Sequence, residues 1–403
     1  LAFFAHVPIT KMNQSKTDCM KYKSFNETFK ICSFALALGL IYPNRKNVCL
    51  RATLFSFVLL FNCGTLFWFI WYTLKCLWEL DIYNSTRNIT VGVIILLFVF
   101  KTFYVNFKTD MFASLLEQIT KDLLKGNNMD ADYQEIYDYY IKEGMFGQKC
   151  YLWIPLILTS IFPIYAGVSM TYESLRSDDF KKVMLHEMDL KYIEDKQYDF
   201  PYFELVFAYY FLGIYSMVPN FAGFDGSFCI ATSHLRMKIK LMTHSVQRAF
   251  TDSKDILELR AKLKFCVKDH QEALEFYVLI QRLYGGWLFA VFLLTSFLIS
   301  CNLYQIYLTG IDPRYTMFAA TGVFHMYMPC YFASCLIESC TDIYCAKWES
   351  WADPTATKFL IFIMARAQKR LLLHGMGIVF FNMESFVSLM QTSYSFFTLI
   401  TSK

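Results

Sequence analysis

The chain has 403 residues, of which 56% are hydrophobic, 19% are aromatic and only 18% are charged. A soluble globular domain rarely has this composition, so the sequence indicates a membrane protein. The formal net charge of +4 is small for a chain of this length, and we expect no nucleic acid among its partners.

Seven apolar segments predict transmembrane helices, so the fold class is predicted to be an all-α, polytopic membrane protein. Two of the segments contain charges, Lys101 in the second and Glu384 in the last. A charge inside a bilayer is costly, so each should face protein or water and be paired. In chain order the segments are Ala52 to Leu74, Val91 to Val105, Tyr151 to Thr171, Leu205 to Phe224, Leu283 to Leu308, Tyr315 to Ile337 and Phe380 to Ser402.

Basic residues between the segments predict the orientation of the chain. Lys and Arg are concentrated before the first span and in 108–149, 236–282 and 347–370. Basic loops are retained in the cytosol, so the N-terminus is predicted to be cytoplasmic and the C-terminus external. A G-protein-coupled receptor has the opposite orientation, and the pattern therefore argues against that class.

The segments between the spans predict a cytoplasmic part with helices of its own. The last of them is amphipathic and bounded by Asp-Pro and by glycines, which predicts an anchor helix where subunits associate away from lipid. A basic helix lying at the phospholipid head groups is the alternative. The predicted divisions are a cytoplasmic segment at 1–51, spans one to six at 52–352 with cytoplasmic extensions at about 108–149 and 231–282, the anchor helix at 353–375, and the seventh helix with the external C-terminus at 376–403.

The last predicted span has small polar residues along one narrow face. They recur at spacings of three and four and therefore share one side of a helix: Ser388, Gln391, Thr392, Ser395, Thr398 and Ser402. Leu399 stands within this polar stripe. A polar stripe interrupted by an apolar ring is how a symmetric oligomer can line a pore and close it by dewetting. We therefore predict that Leu399 is a pore gate, with a lipid-facing leucine as the alternative.

Other motifs bear on modification and chemistry. Asn84 and Asn88 each begin an Asn-x-Ser/Thr sequon in the first predicted external loop and are glycosylation candidates. The 7 histidines are scattered along the sequence, which contains no glycine-rich phosphate loop and no His-Glu-x-x-His pair. We therefore expect no enzyme, no cofactor and no metal site.

Several runs of sequence resemble motifs of the tuning subunits of insect odorant receptors. The run 392–400, Thr-Ser-Tyr-Ser-Phe-Phe-Thr-Leu-Ile, is similar to the closing signature of that family, and 383–386, Met-Glu-Ser-Phe, resembles its Leu-Glu-Thr-Phe step. The run 364–369, Met-Ala-Arg-Ala-Gln-Lys, resembles its Met-x-Arg-Ala-Gln-basic step. Lys101 falls where the family has a lysine in its second span, and Phe-Asp at 224–225 resembles the end of its fourth span.

This resemblance implies an odorant receptor, the odorant-binding subunit of a ligand-gated, non-selective cation channel. The partner is then the family's shared co-receptor, in a heterotetramer in the plasma membrane of olfactory sensory neurons. The segment between the fourth and fifth spans is shorter than that of the co-receptor, which favours a tuning subunit. The open alternatives are a gustatory-type homomeric ligand-gated channel and a membrane transporter.

The resemblance also implies a ligand pocket in the outer half of the membrane, among spans two, three, four and six. A volatile hydrophobic molecule, whether a general odorant or a pheromone, has a large apolar area and few hydrogen-bonding groups. Core packing is the alternative role for each residue of such a pocket. Chosen by depth, the candidate contacts are Val93, Ile94, Leu97, Phe162, Tyr165, Ala166, Tyr209, Leu212, Phe318 and Thr321.

Overall fold

A computed structural model of the chain describes residues 20–43, 48–176, 182–339, 351 and 353–402. Helices dominate this part of the chain. A five-residue π-helical turn, Phe221–Asp225, joins two of them without a break. The elements are α1 (Phe25–Thr28), α2 (Lys30–Leu38), α3 (Val48–Trp78), α4 (Ile82–Phe107), α5 (Thr109–Gly126), α6 (Ala131–Arg176), α7 (Tyr202–Asn220), α8 (Gly226–Asp252), α9 (Ile256–Thr309), α10 (Pro313–Glu338), α11 (Pro354–Ala367), β1 (His374–Gly375), β2 (Val379–Phe380) and α12 (Met383–Thr401).

Five helical segments in the described residues are long and apolar enough to cross a membrane. They contain the first five predicted spans and confirm the all-helical membrane class. The sixth and seventh predicted spans are also helices, α10 and α12, but they do not reach the same apolar length. The number of seven crossings and the orientation of the termini stay predictions. The five segments are Ala52–Trp78, Ile82–Phe107, Ala131–Arg176, Tyr202–Asp252 and Ile256–Thr309.

Three of the five segments are much longer than a bilayer is thick, and two of these three are single helices, α6 and α9. Helix α9 has 54 residues, which at 1.5 Å per residue gives a length of about 80 Å. The hydrocarbon core of a membrane is only about 30 Å thick. A large part of α9, and of the 46-residue helix α6, must therefore lie outside the membrane. Both helices run without interruption from the predicted cytoplasmic extensions into a predicted span.

The predicted anchor segment forms α11, which packs against the ends of α8 and α9. Leu360 and Ile363 of α11 are each 2% exposed, in a cluster with Leu259 and Leu263 of α9 and with apolar residues of α8. Asp353 begins α11 by accepting a 2.7 Å hydrogen bond from the backbone N–H of Ala356. An N-terminal cap and an apolar face thus fix this helix on the long helices.

A tight hairpin connects α11 to α12 and is fixed to α9. Its turn places Met376 and Gly377 at φ values of +53° and +77°, and the N–H of Ile378 donates to the carbonyl of Gly375 at 3.0 Å. The side chain of Gln281 on α9 bonds both backbone groups of His374, at 2.9 and 2.6 Å. The hairpin that precedes α12 is therefore held against α9 by hydrogen bonds between the Gln281 side chain and the His374 backbone.

Gly147 allows the closest approach between α6 and α8. A Cβ atom on Gly147 would lie 2.5 Å from the Cβ atom of Cys229 and 3.1 Å from the ring of Phe332. We expect Gly147→Ala to lower the free energy of unfolding by about 1–3 kcal/mol, because the added methyl group would overpack this contact. Thermal unfolding of the purified protein in detergent measures this change.

The matched control for this prediction is Gly167→Ala in the same helix. A Cβ atom there meets nothing within 4 Å. Alanine has the higher helix propensity, so this variant should be unchanged or more stable by up to about 1 kcal/mol. An unfolding temperature of the Gly147 variant equal to that of the Gly167 variant would contradict the close contact.

Candidate functional site: an apolar cavity and an exposed polar helix face

A cavity lies among α4, α6, α7, α9 and α10. The space inside it that is open to the centre of a water molecule is about 100 Å³. Its walls are mainly aliphatic and aromatic, as a site for a small apolar molecule requires. Examples of the lining residues, from four of the helices, are Leu97, Pro155, Leu158, Ile214, Met217 and Leu298.

Five of the ten predicted ligand contacts line this cavity. They come from α4, α6 and α10, three of the four spans from which the candidates were chosen. Lining the cavity makes them available to a ligand, and contact with one stays a prediction. The five are Ile94, Leu97, Phe162, Phe318 and Thr321.

The other five predicted contacts lie outside the lining. Val93 and Ala166 are buried in packing contacts, at 8% and 1% exposure. The hydroxyl of Tyr209 is hydrogen bonded to a threonine hydroxyl of α3, and Leu212 is 66% exposed. The ring of Tyr165 lies under an arginine of α10, 4.1 Å from the guanidinium carbon. Depth in the membrane selected these residues, but the rotation of each helix determines which of them face the cavity.

Sequence reasoning missed part of the lining. On α6, Tyr151, Pro155, Leu158 and Thr159 recur at helical spacing with Phe162, and this period could have identified them. Helix α9 contributes Thr295 and Leu298, although the fifth span was not among the predicted pocket helices. The loop that follows α6 contributes Leu185 and His186, which no pattern in the sequence predicts.

His186 belongs to the loop 182–201, which is predicted to be external, and lines one side of the cavity. The amide nitrogen of Asn88 donates to the carbonyl of Phe69 at 2.7 Å and to the hydroxyl of Thr73 at 2.6 Å. Both amide protons are thus used, so the oxygen of Asn88 accepts from Nε2 of His186 at 3.1 Å. The imidazole is therefore protonated on Nε2, and it stacks on the ring of Phe69 at 5.1 Å.

Three ion pairs hold the same loop on the helices below it. Arg87 on α4 contacts the carboxylate of Glu187 at 2.7 Å and donates to the Glu187 carbonyl at 2.7 Å. Lys75 on α3 lies 3.2 Å from Asp189 and 3.3 Å from Glu194. Much of the acidic charge of the loop is therefore paired within the chain, over the outer side of the cavity.

This loop should open at acidic external pH. Burial, followed by the positive charges of Arg87 and Arg314, lowers the pKa of His186 from 6.5 to about 3. The neutral form is favoured while the loop is closed, so closure is fully stable above pH 6.5 and weakens as pH falls towards 3. At pH 5 the loss is about 2 kcal/mol. We expect weaker ligand responses at external pH 5 than at 7.5.

The variant His186→Gln tests this assignment, since it keeps an N–H donor for Asn88 but does not titrate. Glu187, paired with Arg87, is the carboxylate nearest in sequence and remains in place. With the same partner subunit, the dependence of the half-maximal ligand concentration on pH should be smaller in the variant. An identical pH dependence in the two proteins would assign it to another group.

A buried ion pair lies at the inner side of the cavity. Nζ of Lys101 donates to Oδ2 of Asp225 at 2.7 Å, and both residues are at most 2% exposed. Nε2 of His325, which lines the cavity, lies 3.3 Å from the same oxygen. The rings of Phe221 and Trp287 each lie 4.3 Å from the ammonium group. This cluster provides the partner that the charge of Lys101 was expected to need.

The π-helical turn explains how Asp225 reaches this position. In residues 221–225 a π-helical hydrogen-bond pattern replaces the α-helical one, and this turn connects α7 to α8. Such turns rotate the following side chains and are frequent at functional sites. Oδ1 of Asp225 has no partner among the described residues, so the carboxylate depends on Lys101 and His325.

Helix α12 packs against α9 and α10 by one face and exposes the opposite one. Leu389 and Ser393 are fully buried, and the carbonyl of Ser393 accepts a 2.8 Å hydrogen bond from Ser300 of α9. Leu399 is 61% exposed. Of the polar stripe, Thr392 is half-buried and the remaining members are exposed: Ser388, Gln391, Ser395, Thr398 and Ser402. The stripe thus faces away from the core of its own chain.

The two glycosylation candidates differ in their surroundings. Helix α4 begins at Ile82, so both lie in a helix rather than in a loop. Asn88 has 0% exposure and uses both amide protons, which is incompatible with a glycan in this arrangement. Asn84 is half-buried near the helix start and remains the candidate. In the described residues no group of three or more His, Cys, Asp or Glu side chains could hold a metal.

The fold is that of a multi-pass helical membrane protein, and it contains an internal cavity with mainly apolar walls. Residues 81–394 match the family model described as 7tm Odorant receptor. This match covers more than half of the sequence, and the chain therefore belongs to the 7tm odorant receptor family. Family and fold are of the receptor and channel type rather than enzymatic.

Solved structures with a similar fold support this assignment. The insect olfactory receptor OR5 from Machilis hrabei in complex with eugenol has a TM-score of 0.73 at 14% identity, covering 93% of this chain and 99% of that one. A second structure of that receptor has a TM-score of 0.72 with the same identity and coverage. At this identity the similarity establishes the fold alone. No curated protein sequence matches the chain.

Proposed function

We propose that the chain is the odorant-binding tuning subunit of a ligand-gated, non-selective cation channel. Its partner is the olfactory co-receptor, with which it forms a heterotetramer in the plasma membrane of olfactory sensory neurons. Its ligand is a volatile hydrophobic molecule, and a pheromone is included in that class. The seventh helix of each subunit lines the pore, with Leu399 at the gate.

The exposed polar face of α12 is the observation that carries this proposal. Polar groups in contact with hydrocarbon are costly, so a helix in a bilayer rarely exposes such a face to lipid. Around an axis shared by several subunits, the same face lies next to water and permeant cations. Helices α9 and α10 line the cavity and also pack against α12, so the proposed ligand site and the proposed pore share two helices.

The cytoplasmic helices support association with other subunits. On α11, Ile361 and Phe362 are 56% and 72% exposed, while Leu257 and Phe265 on α9 are 71% and 69% exposed. This part of the chain is predicted to lie outside the membrane, where large exposed apolar groups mark interaction sites. We assign them to contacts with neighbouring subunits, which agrees with the predicted anchor.

Whole-cell current tests the proposal. Cells express this chain, the co-receptor, or both, and a panel of volatiles that includes eugenol is applied. Current that appears only with both chains supports the heteromeric receptor. Current from this chain alone supports a homomeric channel of the gustatory type. Ligand uptake without current would support a transporter and overturn the proposal, provided that surface labelling shows the chain in the membrane.

A further inference from the structure

A second, smaller cavity adjoins the apolar cavity, and we call it the outer cavity. Half of its lining residues also line the apolar cavity, so the two spaces are neighbours. The residues common to both are Val91, Phe162, Leu185, His186 and Phe318. The residues that line the outer cavity alone are Arg87, Thr90, Glu187, Arg314 and Tyr315.

The outer cavity lies nearer to the predicted external ends of two helices. On α4, Arg87 precedes Val91 by four residues, which is about one helical turn. On α10, Arg314 precedes Phe318 by the same interval, and it is the second residue of that helix. Because both helices begin at the predicted external side, the outer cavity lies between the apolar cavity and the external solution.

The outer cavity is too small for an odorant in the described arrangement. The space inside it that is open to the centre of a water molecule is about 10 Å³, which is about enough for one water. Phe162 and Phe318 line both cavities, with ring centroids 5.0 Å apart. A molecule could therefore pass from outside to the apolar cavity only if part of this wall moved.

The part of the wall that belongs to loop 182–201 is bound to α4 by the ion pair of Arg87 and Glu187. The Arg87 side chain is 12% exposed and that of Glu187 is 47% exposed, so external water competes for the carboxylate. An exposed pair of this kind changes an equilibrium constant by at most about fivefold. Arg314 is bonded instead to Asp312 of its own helix start, at 2.9 Å. The contact between Arg87 and Glu187 is thus both weak and placed at the mouth of the outer cavity.

We propose that the ligand enters and leaves the apolar cavity through the outer cavity, and that the ion pair of Arg87 and Glu187 is the gate of this route. When the pair breaks, the loop carrying Leu185 and His186 moves away from α4 and opens the passage. This inference rests on the proposed function, because it takes the apolar cavity as the odorant site. It goes further by naming the route and the residues that control it.

A gate of this kind controls rates rather than affinity. Glu187 lines the outer cavity but not the apolar cavity, so its substitution removes no contact with a bound ligand. A weaker ion pair lets the loop open more often, which speeds association and dissociation by the same factor. The dissociation constant stays the same while the closed loop remains the predominant state.

The experiment measures both rates in matched variants. The probes are eugenol, 2-octanone and 1-octanol. Surface plasmon resonance on the purified chain in lipid nanodiscs gives the association and dissociation rates, and rapid perfusion of cells that also express the co-receptor gives the rise and decay of current. The test variants are Glu187→Gln and Glu187→Lys. Glu194→Gln is the matched control, because Glu194 belongs to the same loop and pairs with Lys75 at 3.3 Å but lines neither cavity.

We expect Glu187→Gln to raise both rates about threefold and to change the dissociation constant by less than about twofold. Glu187→Lys places a like charge beside Arg87 and should raise both rates further. The Glu194 variant should change neither rate.

Three results would overturn the gate. Unchanged rates in both Glu187 variants would mean that ligands enter from the lipid between helices. A rise in dissociation alone in Glu187→Gln would assign Glu187 to ligand affinity, and binding of none of the probes would remove the odorant site itself. Faster binding and release on the purified chain without any current would leave the gate standing and contradict the channel function.

Discussion

Replacing Lys101 by methionine is expected to destabilise the chain by about 3–5 kcal/mol, because Asp225 would keep a buried charge without its cation. The two residues are 1% and 2% exposed, and the carboxylate already lacks a partner for one of its oxygens. His325 is the nearest remaining donor, at 3.3 Å. We expect a large loss of surface expression and a lower unfolding temperature of the purified protein in detergent.

Two further variants distinguish the effect of breaking the buried ion pair from the effect of removing any lysine. Lys75→Met removes a lysine whose ion pairs are partly exposed, and such pairs contribute about 1 kcal/mol or less. The double variant Lys101→Met with Asp225→Leu removes both buried charges and should recover much of the stability. A Lys101 variant as stable as the Lys75 variant would mean that the pair does not hold α4 against the π-helical turn.

The position of Lys101 relative to the cavity could be predicted from the sequence, but its partner could not. Ile94, Leu97 and Lys101 are spaced by three and four, so they share one face of α4. Once one of them is placed at the cavity, the side of the helix that carries the other two is known. Asp225 is 124 positions away in sequence and reaches the lysine through a π-helical turn. A single sequence carries no signal for such a turn, because only one extra residue per turn distinguishes it from an α-helix.

The same limit explains which of the predicted ligand contacts line the cavity. Apolar length predicted the helices and their depth, which placed Phe162 and Phe318 at the level of the cavity. It did not predict rotation, and Leu212 faces outward at 66% exposure. The loop 182–201 lies outside every predicted span, yet His186 lies at the cavity because Asn88 accepts its hydrogen bond. Contacts between a loop and a helix depend on tertiary packing, which a hydropathy pattern does not contain.

The second large effect is expected at the proposed gate: Leu399→Thr should raise the current that flows without ligand. In a closed pore the leucines of neighbouring subunits would bury their apolar surface against each other and exclude water. Loss of this burial costs the closed state about 2 kcal/mol per substituted subunit, which shifts the ratio of open to closed channels about thirtyfold. The current is measured in cells that also express the co-receptor, with normalisation to surface-labelled protein.

Val387→Thr is the matched control for this prediction. Val387 is 52% exposed on the same helix, and twelve residues of α-helix turn it about 120° away from Leu399. The same gain of a hydroxyl at the edge of the polar stripe, about 18 Å along the helix from Leu399, should leave the basal current unchanged. A basal current that rises equally in both variants would indicate a loosened helix, and one that rises in neither would place Leu399 against lipid. Only a selective rise in the Leu399 variant is consistent with a gate, because the two substitutions add the same hydroxyl and differ in their position on the helix.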